Sequence, residues 1–199
     1  MPLRRLETEG AASGRLIMTE LREGNMSRVE VKSANDPQYL DMEDLRKKSR
    51  EELDGIYGEA TAPSVGELEG KYDGTVLAGD IPLLDNPASV ALANTFWLRW
   101  GGKKLDVVSD DLAEGTNWFD LGLTEFDAYP FEGKVVPATF DEGDCYVFDY
   151  DIPENTAPVR RVRDEVRKIR NGLYLGRVYI DADDLRFVTY FGLEKSIEL

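Results

Sequence analysis

The chemistry open to this sequence is bounded first by a residue it lacks: its 199 residues contain no histidine. That removes Ser-His-Asp and Cys-His catalysis, histidine-ligated zinc or iron, and an imidazole proton shuttle. Cys145 stands alone, so the chain has neither an internal disulfide nor a thiolate metal site. With no histidine to activate it, the thiol reads as a buried structural one. Carboxylates, arginines, tyrosines and lysines remain. They gather late in the chain: Arg160 to Arg170 holds six basic residues against Asp164 and Glu165, and Arg177 and Tyr179 follow.

The spacing of these residues suggests how they meet. Asn171-Gly172 is a strong hairpin signal. As a two-residue turn it sets Val166 opposite Arg177 and Asp164 opposite Tyr179, so these four share one side of the sheet. Arg163, Glu165 and Arg167 then take the other side, against Ile180, Val178 and Gly176. A charged pair at the floor of an apolar barrel orients a polar ligand head, or else is a satisfied structural salt bridge. Arg167 opposite Gly176 would leave bare backbone for a guanidinium or a ligand to lie against. On this pattern Asp164 or Glu165 is the candidate base, and Tyr179 or Arg177 the candidate electrophile. Arg163, Arg167 and Arg177 are candidate ligand contacts, together with Trp97, Tyr146, Phe148 and Tyr150. The aromatic residues are also read more simply as core.

Cofactor motifs are absent. Gly66-Glu-Leu-Glu-Gly70-Lys71 is one residue short of a phosphate-binding loop and lacks its Ser/Thr. No G-x-G-x-x-G occurs, and the acids at 149–151 and 181–184 lack the glycine and glutamate of a calcium loop. No cofactor and no metal are expected.

The elements that must position these residues are mainly β. Before them, Leu45, Ser49, Leu53 and Ile56 or Tyr57 recur at helical spacing, with Ser49 and Glu52 forming a capping box at which the helix can restart. A second helix is expected from Asn86-Pro87 to Trp100, with Val90, Ala93 and Trp97 on one face. The glycine-punctuated 66–79 separates the two. Strands are expected at 104–108, 134–140, 145–150, 173–180 and 185–191, and at 159–170 if the hairpin reading is preferred to the helical spacing there. Tyr146, Phe148 and Tyr150 share one face of their strand, with Cys145, Val147 and Asp149 on the other. Pro137 marks an edge or a bulge. Antiparallel strands on short turns make a barrel or strongly curved sheet. Residues 1–35 show no sustained periodicity and read as a poorly ordered leader, with 36–199 as one domain.

Charge narrows the partners. The net charge is −15, and residues 63–158 hold five basic against nineteen acidic side chains. This reads as a solvated acidic surface, which repels nucleic acid, so phosphate-backbone binding is not expected. The arginine-rich stretch either packs against acidic neighbours or binds an anionic group. No apolar run reaches the length of a membrane helix, and Leu16-Ile17-Met18 is too short for a signal-peptide core. A cytoplasmic location is expected.

Trp100-Gly-Gly-Lys103, Cys145 to Tyr150, and Arg163-Asp-Glu-Val-Arg167 with Gly172-Leu-Tyr-Leu-Gly176 resemble a group of small uncharacterised bacterial proteins. Those proteins carry W-x-G-K and R-D-E-[IV]-R…G-[LV]-Y-L-G elements, and the similarity spans about residues 45–195. The resemblance implies a curved antiparallel barrel of the lipocalin and fatty-acid-binding kind, preceded by helices, and implies no reaction. Three functions follow: a calycin-like barrel binding a small apolar or amphipathic molecule; an isomerase, cyclase or lyase on the same barrel; or a subunit of a larger assembly.

Overall fold

The computed structural model describes residues 39–78, 99–181 and 184–197. The expected leader, and the expected second helix up to residue 98 with Trp97, lie outside them. Two short helices precede the strands, both within the first helical stretch read from the sequence. Helix α1 (Met42–Arg46) is capped by Asp41, and α2 (Arg50–Glu59) by Ser49, whose hydroxyl accepts from Glu52 N while Glu52 accepts from Ser49 N. The Ser49 capping box thus restarts the helix rather than continuing it. Each helix shows the barrel its apolar side, through Met42 and Leu45 and through Leu53 and Tyr57.

A 3-10 turn (Val65–Leu68) leads into eight strands: β1 (Gly70–Val76), β2 (Trp100–Val107), β3 (Ala113–Asp120), β4 (Glu125–Pro137), β5 (Asp144–Asp149), β6 (Val162–Arg170), β7 (Leu173–Asp181) and β8 (Leu185–Lys195). Each pairs antiparallel with its neighbour in sequence, and β1 pairs with β8 to close the barrel. The mainly β barrel expected from the sequence is the observed fold.

Several boundaries differ from expectation. β1 occupies the glycine-punctuated stretch, and β3 with the first half of β4 carried no recognised strand signal. Trp100 opens β2 instead of ending a helix. Closure leaves β4 no edge, and its bulge, opposite the register shift with β3, lies at Tyr129 and Pro130 rather than at Pro137, which ends the strand opposite Asp144.

The interior explains the strand glycines. A Cβ on Gly74, Gly115, Gly133 or Gly176 would lie within 2.5 Å of Trp100, Phe131, Tyr146 or Phe191 respectively, so each glycine is the seat of one aromatic ring. Gly176 therefore takes no guanidinium or ligand against its backbone; Phe191 fills that space. Gly176→Ala is expected to lower stability by about 1–3 kcal/mol through overpacking of Phe191, read as a lower urea midpoint at unchanged slope. An unchanged midpoint would show that the ring moves freely.

The two ends of the barrel are unlike. At one, Val65 and Leu68 enter the core and Glu67 O accepts from the Tyr72 hydroxyl at 3.1 Å and the Tyr174 hydroxyl at 3.0 Å. At the other rim, where β2, β4, β6 and β8 begin, Trp100, Tyr129, Val162 and Ile180 are only half-buried.

Candidate functional site

Just beneath that second rim lies a polar cluster inside an aromatic shell. On β2, Lys103 shares its side of the strand with Leu105, so alternation turns the ammonium inward. Its Nζ donates to Asp164 Oδ2 on β6 at 2.9 Å, to Asn117 Oδ1 on β3 at 3.0 Å, and to the Tyr150 hydroxyl just after β5. The rings of Trp100, Phe131, Phe148, Tyr150 and Phe191 stand 4.5–5.7 Å from the ammonium. Lys103 is 1% exposed and Asp164 4%.

The other members complete the network. Asn117 Oδ1 also accepts from the Trp100 indole at 3.0 Å, and Asn117 Nδ2 donates to Tyr129 O and to the Tyr150 hydroxyl, each at 3.1 Å. The Tyr150 hydroxyl donates to Asp164 Oδ2 at 3.0 Å. Tyr129 sits at the β3–β4 register shift with φ 57°, a left-handed conformation that a non-glycine residue adopts at a cost of about 1–2 kcal/mol. That conformation accompanies the delivery of its carbonyl to Asn117. Asn155 holds the Tyr150 main chain, donating to Tyr150 O at 2.9 Å and Pro130 O at 2.7 Å.

The electrostatics follow from burial. Desolvation pulls the Lys103 ammonium below its ordinary range, while Asp164 works in the opposite direction. Desolvation first, and the Asp164 carboxylate second, push the Tyr150 phenol well up. Asp164 Oδ2 receives two hydrogen bonds, but among the described residues its Oδ1 has no partner although it is buried. The Tyr146 hydroxyl, one inward position deeper on β5, is likewise buried and unpartnered. Among the described residues no group of three or more Cys, Asp or Glu is arranged to hold a metal ion, and no helix is long and apolar enough to cross a membrane.

No protein-family model matches this sequence, and no curated protein does. A crystal structure of a protein from Thermomonospora curvata is similar at 12% identity, over 74% of this chain and 88% of that one, with a TM-score of 0.47.

The remaining sequence-derived candidates divide across the barrel wall. Tyr146, Phe148 and Tyr150 face inward together, as alternation predicts, while Cys145 and Val147 are buried on the outer side. The β6–β7 hairpin forms as expected, but its register is shifted by one: Asp164 opposes Val178, Glu165 opposes Arg177, and Arg163 opposes Tyr179. Tyr129 is the only described non-glycine residue with positive φ, so of the two turn residues only Gly172 is left-handed, at 76°. A turn of type I′ needs both. The irregularity between Lys168 and Arg170 takes up the difference. Arg177 and Tyr179 therefore stand outside with Glu165, and the electrophile proposed for Asp164 is on the wrong side of the wall.

Outside, these residues clamp the helix and a loop to the barrel. Arg177 donates to the Tyr190 hydroxyl at 2.8 Å, to Asp54 of α2 at 2.9 Å, and to Asp141 of the β4–β5 loop. Arg167 spends its donors on the carbonyls of Tyr57, Glu142 and Asp144 at 3.1, 2.7 and 3.2 Å. Glu165 accepts from Thr139 N at 3.2 Å, from the Thr139 hydroxyl, and from Arg163 at 2.9 Å. Tyr179 packs between Phe140 and Phe187. With Arg160 on Asp151, Lys168 on Glu67 and Arg170 on Glu194, the arginine-rich stretch packs against acidic neighbours. Cys145 lies beneath this layer, and burial pushes its thiol up to about 12.

Lys103, Asn117 and the Tyr129 carbonyl went unrecognised as site members. Lys103 left a trace: it has the same parity as Leu105 and Val107, a lysine on an apolar strand face.

Proposed function

We propose that the barrel is a lipocalin-like binding module for a small apolar or amphipathic molecule, lipid or isoprenoid in class. The molecule enters at the rim of Trp100, Tyr129, Val162 and Ile180, and its polar end meets Lys103 and Asp164. The observation that carries this reading is the unpartnered Oδ1 of Asp164. A buried carboxylate oxygen without a donor costs about 1–3 kcal/mol or more, and such atoms are rare in proteins unless a bound group answers them. The half-buried apolar rim above a polar floor has the composition of a small-molecule site. The resemblance to a group of small uncharacterised bacterial proteins, which implies a barrel of the lipocalin kind, points the same way. Native mass spectrometry of freshly purified protein tests it: a co-purified molecule released on denaturation is expected. Protein that is repeatedly free of adduct, and that binds no apolar alcohol, overturns the reading.

A second reading, an isomerase, cyclase or lyase on this barrel, is favoured by one observation. Burial holds the Lys103 ammonium below its ordinary range beside a carboxylate and a phenol, an arrangement suited to proton transfer. If Asp164→Asn removed a turnover while ligand affinity stayed within a few-fold, the enzyme reading would replace the binding one.

A further inference from the structure

The donors and acceptors at the floor decide which polar end fits. Lys103 has three N–H groups and all three are taken, by Asp164, Asn117 and Tyr150. Both N–H groups of Asn117 are taken, by Tyr129 O and the Tyr150 hydroxyl. The Trp100 indole has a single N–H, spent on Asn117. The Tyr150 hydroxyl has a single proton, spent on Asp164 Oδ2. Every donor of the cluster is committed. What is left is an acceptor, Asp164 Oδ1, buried and without a partner among the described residues.

We infer that the molecule held by the barrel carries a hydrogen-bond-donating polar end, a hydroxyl or an amine N–H, and that carboxylate and other anionic ends are rejected. The inference rests on the binding reading above and specifies its ligand class. An alcohol or amine donates to Asp164 Oδ1 and completes the network without disturbing it. A carboxylate would find no free N–H or O–H among Lys103, Asn117, Trp100 and Tyr150 (the unpartnered Tyr146 hydroxyl lies one inward position deeper on β5), would lie beside a carboxylate oxygen, and would have to break the Lys103–Asp164 pair to gain a cation. A site built to hydrogen-bond one polar group discriminates strongly against an analogue that leaves its groups unpaired. The lysine at this floor is therefore no sign of fatty-acid binding: its charge is already matched by Asp164.

Chain-matched probes test this, with binding of 1-decanol and decanoate followed by calorimetry at neutral pH in high salt. The salt screens the acidic surface, so a general repulsion of anions does not pass for selectivity at the floor. Decanol is expected to bind at least about tenfold more tightly than decanoate, a ratio worth about 1.4 kcal/mol. In Lys103→Met/Asp164→Leu, whose floor has lost both charges and the free carboxylate oxygen, the ratio is expected to fall to within about threefold while decanol still binds. Decanoate binding as tightly as decanol to the native protein overturns the inferred class and leaves the binding reading standing. Failure of both probes to bind overturns the binding reading and this inference with it. A decanol preference that persists unchanged in the double variant removes Asp164 as its source and likewise overturns the inference.

Discussion

Lys103→Met is expected to cost about 3–5 kcal/mol of unfolding free energy, enough to bring the domain near or below the threshold of folding at ambient temperature. Methionine replaces much of the lysine stem in the shell of Phe131, Phe148 and Phe191, so the loss comes chiefly from the charge. Asp164 would stay 4% exposed with its cation gone, and Asn117 Oδ1 and Tyr150 would each lose a donor. Removing both ions together behaves differently. In Lys103→Met/Asp164→Leu the rest of the network closes on itself: the Trp100 indole still donates to Asn117 Oδ1, Asn117 Nδ2 still donates to Tyr150, and the Tyr150 proton can turn to Asn117 Oδ1, 3.4 Å away. The double variant is expected to regain most of the loss and to lie within about 2 kcal/mol of the parent protein, because well-packed apolar residues often replace buried ion pairs at little cost. Urea titration of the parent, both single variants and the double gives the coupling energy of the pair. A Lys103→Met cost below about 1 kcal/mol would mean that Asp164 does not depend on Lys103.

The same pair shows where sequence reading stops. Alternation is a local rule, and it placed Tyr146, Phe148 and Tyr150 on one face of their strand, and Asp164 opposite in sense to Glu165, without any knowledge of the barrel; which face is inward came only with closure. Capping is local too, and Ser49 with Glu52 marked the start of α2. Register is not local. A single irregular step near Ile169, decided by the backbone twist of one turn, moved Arg177 and Tyr179 to the other face of the wall and exchanged the partners of Arg163, Asp164, Glu165, Arg167 and Lys168, while Arg170 still opposes Leu173. Lys103 and Asp164 are 61 residues apart and meet only because the barrel closes. Closure, in turn, depends on β1 and β3, whose glycines disguise them as loops: Gly74 and Gly115 are seats for Trp100 and Phe131, a role visible only once those rings are in place. Asp164 and Tyr150 were legible as candidates, but of the members that were missed only Lys103, a lysine with the parity of Leu105 and Val107, left a trace, and that trace gave a position without a partner.

Above about pH 10 the protein is expected to unfold cooperatively, and buried phenols are the cause. Tyr57, Tyr72, Tyr146, Tyr150, Tyr174, Tyr179 and Tyr190 are each at most 3% exposed. Burial is the first cause pushing each of them above the ordinary phenol value, with Tyr179 pushed up to about 12 and the others also raised. In the unfolded chain these groups ionise near pH 10, whereas in the folded chain they keep their protons. The folded state then binds more protons than the unfolded one, so stability falls as pH rises. Each phenol contributes up to about 1.4 kcal/mol per pH unit, and seven together approach about 10 kcal/mol per unit, against a typical domain stability of about 5–15 kcal/mol. The Cys145 thiol, raised to about 12, adds to the loss from about pH 9 upward. Lys103 acts in the opposite sense: its lowered value means the folded state releases that proton before the unfolded state does, and stability rises with pH until both have released it. One amine cannot offset seven phenols. Tyrosinate absorbance and far-UV circular dichroism followed from pH 8 to about 12 are expected to change together in one steep step. Gradual tyrosinate formation centred near pH 10 with the circular dichroism intact would show that the phenols are open to solvent and that the core described above is not the one in solution.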